Sequence, residues 1–169
     1  LWRPSISNDG GSIVVSDWVT EEIVFFENYS SNPKWRIQTN DSGPNIAKSL
    51  ISPKGNYIVI YGEIFLKLYN TSSNISIWSF PYAGYGNKPE WVEISEDEST
   101  MVIGTWNQSG LGKTYLYDLG DQTLIWEYTD NSPNLWSTYA LSDDGGFVAN
   151  IRVLFMHSVV VCVFRASLL

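Results

Sequence analysis

This chain of 169 residues contains a single cysteine, Cys162, and a single histidine, His157. One cysteine excludes an internal disulfide framework and any multi-cysteine zinc site. One histidine excludes a His-rich metal site and argues against a histidine-based catalytic centre. Cations are scarce as well: 10 Lys and Arg face 18 Asp and Glu, a net charge of −8. A chain this acidic is poorly suited to wrap nucleic acid or to lie on an anionic membrane. No window carries the 3.6-residue apolar period of an amphipathic helix. Leu1-Trp2-Arg3-Pro4 lacks the basic-then-apolar pattern of a secretory leader. The expectation is a chain that follows a cleaved leader or is cut from a longer one. No Gly-x-Ser-x-Gly nucleophile elbow exists. Gly112-Lys113-Thr114 is like the end of a phosphate loop, but Asn107 stands where that loop needs its first glycine, and no helix follows.

What is abundant is aromatic: 15% of residues, eight of them tryptophan. They recur with a period. Ser7-Asn8-Asp9-Gly10, Ser52-Pro53-Lys54-Gly55, Ser95-Glu96-Asp97-Glu98 and Ser142-Asp143-Asp144-Gly145 each follow an apolar residue and precede an apolar run. The serines lie 45, 43 and 47 residues apart. Trp35, Trp78 and Trp126 keep the same phase, 43 and 48 residues apart, each in a short strand-like run. The second repeat shows the content of one unit. Strands are expected at 49–51, 57–61, 64–69 and 75–80, divided by Pro53-Lys54-Gly55-Asn56, Gly62-Glu63 and a polar turn from Asn70 to Asn74. Four short strands in about 43 residues match one propeller blade.

The repeat resembles those of the WD-repeat and quinoprotein-like (PQQ-like) β-propeller families. Ser142-Asp143-Asp144-Gly145 and Ser52-Pro53-Lys54-Gly55 are similar to the Ser-Pro-Asp-Gly turn of WD repeats. Tyr69-Asn70 and Tyr117-Asp118 stand where those repeats often carry Trp-Asp, although the family's Gly-His dipeptide is missing. Asp118 to Trp126 and Asn70 to Trp78 are both eight residues, which resembles the quinoprotein spacing of an aspartate, a turn and a tryptophan. The resemblance implies an all-β, β-propeller-type fold of about three and a half four-stranded blades. The repeat units are expected near 5–48, 49–91, 92–138 and 139–169, as a single domain or a fragment of one. Closed propellers usually have four to eight blades. A longer parent chain, or a homo-oligomer, is therefore expected to complete the ring.

Residues 151–169 contain no Gly, Pro, Asn, Asp, Trp or Tyr, and fourteen of the nineteen are apolar. Arg152, His157 and Arg165 interrupt the run, which argues against a membrane span of about 20 apolar residues. Two strands, 147–156 and 159–164, are expected to turn at His157-Ser158, leaving the fourth blade without its last strand. An altered or truncated terminus is the other reading of this stretch.

Trp35, Trp78 and Trp126 are expected to lock blade against blade. Trp18 and Trp106, after the second strand, and Trp91 and Trp136, before the innermost one, are the candidates to line a propeller face and bind a partner. Asn28, Asn40, Asn70, Asn74 and Asn107 begin N-glycosylation sequons, all in expected turns. The carboxylate clusters Glu21-Glu22, Glu96-Asp97-Glu98 and Asp143-Asp144 are adjacent in tight turns rather than opposed across a cleft, as hydrolysis would need. Asp9, Asp97 and Asp144 occupy one repeat position and read as turn formers. Cys162, inside an apolar run, reads as an inert thiol. No catalytic residue, metal ligand or cofactor is assigned. The expected function is a non-enzymatic binding or scaffolding module, extracellular or at the cell surface, that recognises a protein or glycan through face loops. The alternatives are a fragment of a quinone-dependent oxidoreductase and a cytoplasmic WD-like adaptor. The former needs a divalent cation with carboxylate and amide ligands beside a stacking tryptophan, a set these residues do not assemble.

Overall fold

The computed structural model describes the chain except residues 1–2, 18, 40–47, 82–85, 108–111, 130–133, 155–158 and 166–169. Its described residues form fifteen strands in four antiparallel sheets, or blades. Blade 1 holds β1 (Arg3–Ile6), β2 (Ser12–Asp17), β3 (Glu22–Glu27) and β4 (Trp35–Gln38). Blade 2 holds β5 (Lys48–Ile51), β6 (Tyr57–Tyr61), β7 (Leu66–Asn70) and β8 (Ser76–Ser79). Blade 3 holds β9 (Lys88–Ile94), β10 (Thr100–Trp106), β11 (Gly112–Asp118) and β12 (Leu124–Thr129). Blade 4 has three strands, β13 (Asn134–Leu141), β14 (Phe147–Leu154) and β15 (Val159–Arg165). In every sheet each strand pairs with its neighbour in sequence. The described part of the apolar C-terminal run is sheet, in β14 and β15, and no helix among the described residues is long and apolar enough to cross a membrane. Blade 3 begins at Lys88, earlier than the expected repeat boundary at 92.

The serine turns are built alike. In all four, the serine N–H donates to the carbonyl five residues on, at 2.9–3.0 Å. The serine Oγ accepts from the N–H of that same residue, Ser12, Tyr57, Thr100 or Phe147. The fourth residue of each turn is left-handed: Gly10, Gly55, Glu98 and Gly145 have φ of 71°, 80°, 60° and 67°. Glycine adopts that conformation without steric cost, whereas Glu98 does not. The recurrent aspartates are turn formers. Asp9 and Asp144 accept from the serine hydroxyl at 2.6 and 2.7 Å and from the N–H of Gly11 and Gly146. Those bonds hold both carboxyls below the usual carboxylate range, led by Ser7 at Asp9 and by Gly146 at Asp144. Lys54 replaces the aspartate in blade 2.

Pairing places repeat positions in cross-strand rows. One face carries Ser5-Val14-Phe25-Trp35, Leu50-Val59-Leu68-Trp78 and Glu93-Val102-Leu116-Trp126. This is the trailing face. The opposite, leading face carries Ile6-Ile13-Phe26, Ile51-Ile58-Tyr69, Ile94-Met101-Tyr117 and Leu141-Val148-Phe164. Successive side chains of a strand point to opposite faces, so a blade with apolar residues on both must be covered twice.

The chain divides into two compact units, Leu1–Gly84 with blades 1 and 2, and Tyr85–Leu169 with blades 3 and 4. Within each, a trailing face packs on the next leading face. Val14, Ile23 and Phe25 form one core with Ile51, Ile58, Ile60 and Tyr69. Val102 and Leu116 form another with Tyr139 and Val148. Each fully buried side chain of these rows contributes roughly 1.5–3 kcal/mol. Turn-to-turn bonds tie the blades further: Asn8 N–H donates to Pro53 C=O at 2.8 Å, and Asp97 N–H to Asp143 C=O at 3.0 Å.

Candidate interaction surface

The period-marking tryptophans sit on the trailing face at the fourth strand. Trp35 lies 5.0 Å from the Phe25 ring and 6.5 Å from Tyr69 of the next blade, and its Nε1–H donates to Thr71 C=O at 3.1 Å. Trp126 lies 5.4 Å from Phe164 of blade 4. Both rings join blade to blade, as the repeat implies. Trp78 meets Phe80 at 6.2 Å within its own unit.

The four face candidates divide differently. Trp18 lies outside the described residues, as does the side chain of Trp136, whose backbone is in β13. Trp91 and Trp136 are inside the first strands of blades 3 and 4 rather than ahead of them, and Trp106 is the last residue of β10 rather than a turn residue. Pairing of β9 with β10 and of β13 with β14 carries these strands through the tryptophans. Trp91 pairs with Gly104, and Trp106 follows two residues later, paired with Lys88. This brings both rings to one end of one sheet, where each is 40% exposed. A Lys88–Glu90 ion pair at 3.0 Å borders them.

Beneath Trp91 lies Glu93, a residue the sequence analysis did not single out. Its carboxylate accepts from the Leu141 N–H of blade 4 and from the Trp91 indole. Burial nonetheless pushes its pKa up, and Oε2 is buried without a hydrogen bond. In blade 1 the same row position is Ser5, whose Oγ accepts from the Ile51 N–H at 3.1 Å. Ile51 and Leu141 are equivalent, each preceding a turn serine. Alignment of the repeats on those serines places Glu93 opposite Ser5, which is the signal that would have found it. Gly104 is the other missed residue. A Cβ there would run into the ring of Tyr139, which is buried and whose hydroxyl accepts from Thr114 Oγ1 at 3.3 Å.

Of the sequons, Asn28 and Asn74 are exposed in turns, and Asn28 has φ 57°. Asn70 ends β7, and its Oδ1 accepts from the Ser72 N–H at 2.9 Å. Asn107 follows β10 directly and is half-buried; Asn40 lies outside the described residues. Cys162 is a half-buried free thiol on β15, and His157 lies outside the described residues. Among the described residues no three His, Cys, Asp or Glu side chains gather.

No protein-family model and no curated protein matches the chain. Solved structures do. A chain of the hydrazine synthase of Kuenenia stuttgartiensis is 17% identical with a TM-score of 0.67, covering 88% of this chain and 42% of that one. The β-propeller domain of Cps50 (Swd1) from Myceliophteria thermophila is 10% identical with a TM-score of 0.65, covering 92% and 52%. The WD40 domain of SCAP from fission yeast is 13% identical with a TM-score of 0.63, covering 96% and 41%. The complex of the fission yeast SREBP–SCAP binding domains matches again at 0.65. The chain thus spans about half the length of the structures it matches, and its fold is that of a β-propeller.

Proposed function

We propose that this chain is a non-enzymatic binding module that recognises a protein partner through blade 3, with Trp91 and Trp106 as its anchors. The observation that carries this reading is two tryptophans held partly exposed at one end of one sheet. Tryptophan is enriched among residues that dominate binding energy, because a large rigid ring buries much area at little entropic cost. The Glu93 carboxylate fixes the Trp91 indole from below, so little ordering is left for the moment of binding. The Lys88–Glu90 pair supplies a polar rim. The match to the complex of the fission yeast SREBP–SCAP binding domains supports a protein rather than a glycan as the partner.

The reading extends to an extracellular or surface location with glycans at Asn28 and Asn74, the two sequon asparagines exposed in turns. The binding reading is tested with peptides selected from a displayed library on the native protein and measured again on Trp91→Ala/Trp106→Ala. Loss of about tenfold or more in affinity is expected for removal of such anchors. Peptides that bind the double variant equally well would refute it.

A further inference from the structure

The outer strands β4, β8 and β12 each leave one edge unpaired in their own sheets. An unpaired edge is a template for a further strand, and natural edges carry charges that deter one. β4 holds Arg36, bonded to Glu22 at 2.8 Å, just after Lys34, and β12 holds Glu127. β8 has no such guard: residues 70–81 contain no charged side chain. Ile75-Ser76-Ile77-Trp78-Ser79-Phe80 is rich in strand formers and has no charge, proline or glycine, the composition of a segment that stacks on copies of itself. Alignment of the blades on Trp35, Trp78 and Trp126 sharpens the contrast. Three residues before the tryptophan stand Asn32, Ile75 and Thr123, all exposed, and only blade 2 is apolar there, with Ile75 73% exposed. One residue before it stand Lys34, Ile77 and Ile125. Ile125 packs on a core, whereas Ile77 is 47% exposed. Four residues before it, where the other two blades have Ser31 and Gln122, blade 2 has Asn74, exposed and the first residue of the sequon Asn74-Ile75-Ser76. The turn ahead of it is fixed by its own side chains. Asn70 Oδ1 accepts from the Ser72 N–H at 2.9 Å, and Ser73 Oγ from the Ile75 N–H at 3.1 Å.

We propose that an N-linked glycan on Asn74 covers Ile75 and Ile77 and closes the β8 edge against strands of other molecules. The inference rests on the extracellular or surface reading above and is independent of Trp91 and Trp106. The step is a glycosyl transfer to the side-chain amide. Asn74 Nδ2 attacks C1 of the first sugar of an oligosaccharide carried on a lipid diphosphate. The N–C1 bond forms, the C1–O bond breaks, the lipid diphosphate leaves, and Nδ2 gives up one proton. The glycan brings bulk and hydration to the one of these three edges that has no charge. Asn74 receives it rather than Asn70 because Asn74 adjoins Ile75, whereas the Asn70 side chain serves the turn.

The test uses the full chain secreted from a eukaryotic host, where the glycosylating enzyme meets every sequon. Peptide mass mapping is expected to find Asn74 occupied. Size-exclusion chromatography then follows the monomer during incubation. Enzymatic removal of the glycans, or Asn74→Gln alone, is expected to cause loss of monomer to aggregates, while Asn28→Gln leaves the monomer unchanged. Ile75→Thr/Ile77→Lys places the residues of blades 3 and 1 at two exposed positions. In the deglycosylated protein this pair is expected to restore the monomer, which separates the β8 edge from a general loss of solubility. An unoccupied Asn74, a monomer that survives glycan removal, or aggregation that the paired substitution does not relieve would each overturn the proposal. On the protein as its own cells make it, a bare Asn74 would overturn the surface reading and this inference with it. A glycan found there whose removal changes nothing would overturn the inference alone.

Discussion

The junction between blades 1 and 2 and the junction between blades 3 and 4 are built from the same rows and finished differently. The first is nearly free of charge. Ser5 accepts the bond from the next blade, Trp35 satisfies its N–H on Thr71, and the repeat positions that flank the centre hold the small residues Ser16 and Ser49. The second puts Glu93 at the position of Ser5, a glycine at that of Ser16 and a tyrosine at that of Ser49. It also leaves Glu93 Oε2, Thr100 Oγ1 and Trp126 Nε1 buried without hydrogen bonds, against Ser49 Oγ in the first unit. A repeat therefore fixes where blades meet, not how well each meeting is satisfied. The junction with the orphaned atoms lies in the same unit as the exposed Trp91 and Trp106, and a residue of that junction, Glu93, holds one of them.

The largest expected effect breaks the second junction sterically. Gly104→Ala drives a methyl into the Tyr139 ring, and overpacking of this kind costs about 1–3 kcal/mol, read as a lower urea midpoint. A midpoint unchanged by Gly104→Ala would mean that blade 4 does not press on blade 3 as described. Next comes the contrast between the two tryptophans. Trp35→Phe removes a bonded N–H and leaves the Thr71 carbonyl unpaired, a loss of about 1 kcal/mol beyond packing. Trp126→Phe removes an N–H that has no partner, so its extra cost is close to nil. Denaturant melts of both variants measure that difference, and equal losses would erase the distinction drawn between the junctions.

The smallest effect is one of pH. Burial raises the pKa of Glu93, so folding favours its neutral acid more than the unfolded chain does. Its contribution is complete below the ordinary carboxylate value and declines as pH rises from there through the raised one. Asp9 and Asp144 run the other way: their contribution is present above the ordinary value and lost as pH falls through their lowered ones. Thermal melts from acid to neutral pH are expected to show a falling component that Glu93→Gln abolishes. A slope that survives in Glu93→Gln would assign the effect to another group.

Much of this was legible beforehand. The Ser-x-Asp-Gly turns and the spacing of Trp35, Trp78 and Trp126 are local or periodic signals, and they located strand pairs and blade contacts. Turn chemistry acts within five residues, so it needs no knowledge of what lies across the molecule. Trp91 and Trp106 were found as candidates, but their neighbours were not. Glu93 and Gly104 acquire their roles from Leu141 and Tyr139, which lie some 35 to 50 residues away in sequence.

The amino-acid order alone dictated the repeated short strands, their turns and the apolar character of both faces, because hydrophobic alternation and left-handed turn residues act over short range. Only the packing of one sheet on another decided which faces are covered. Burial belongs to a pair of surfaces, so Ile6 and Ile51, alike in sequence, end up on opposite sides of the boundary with water.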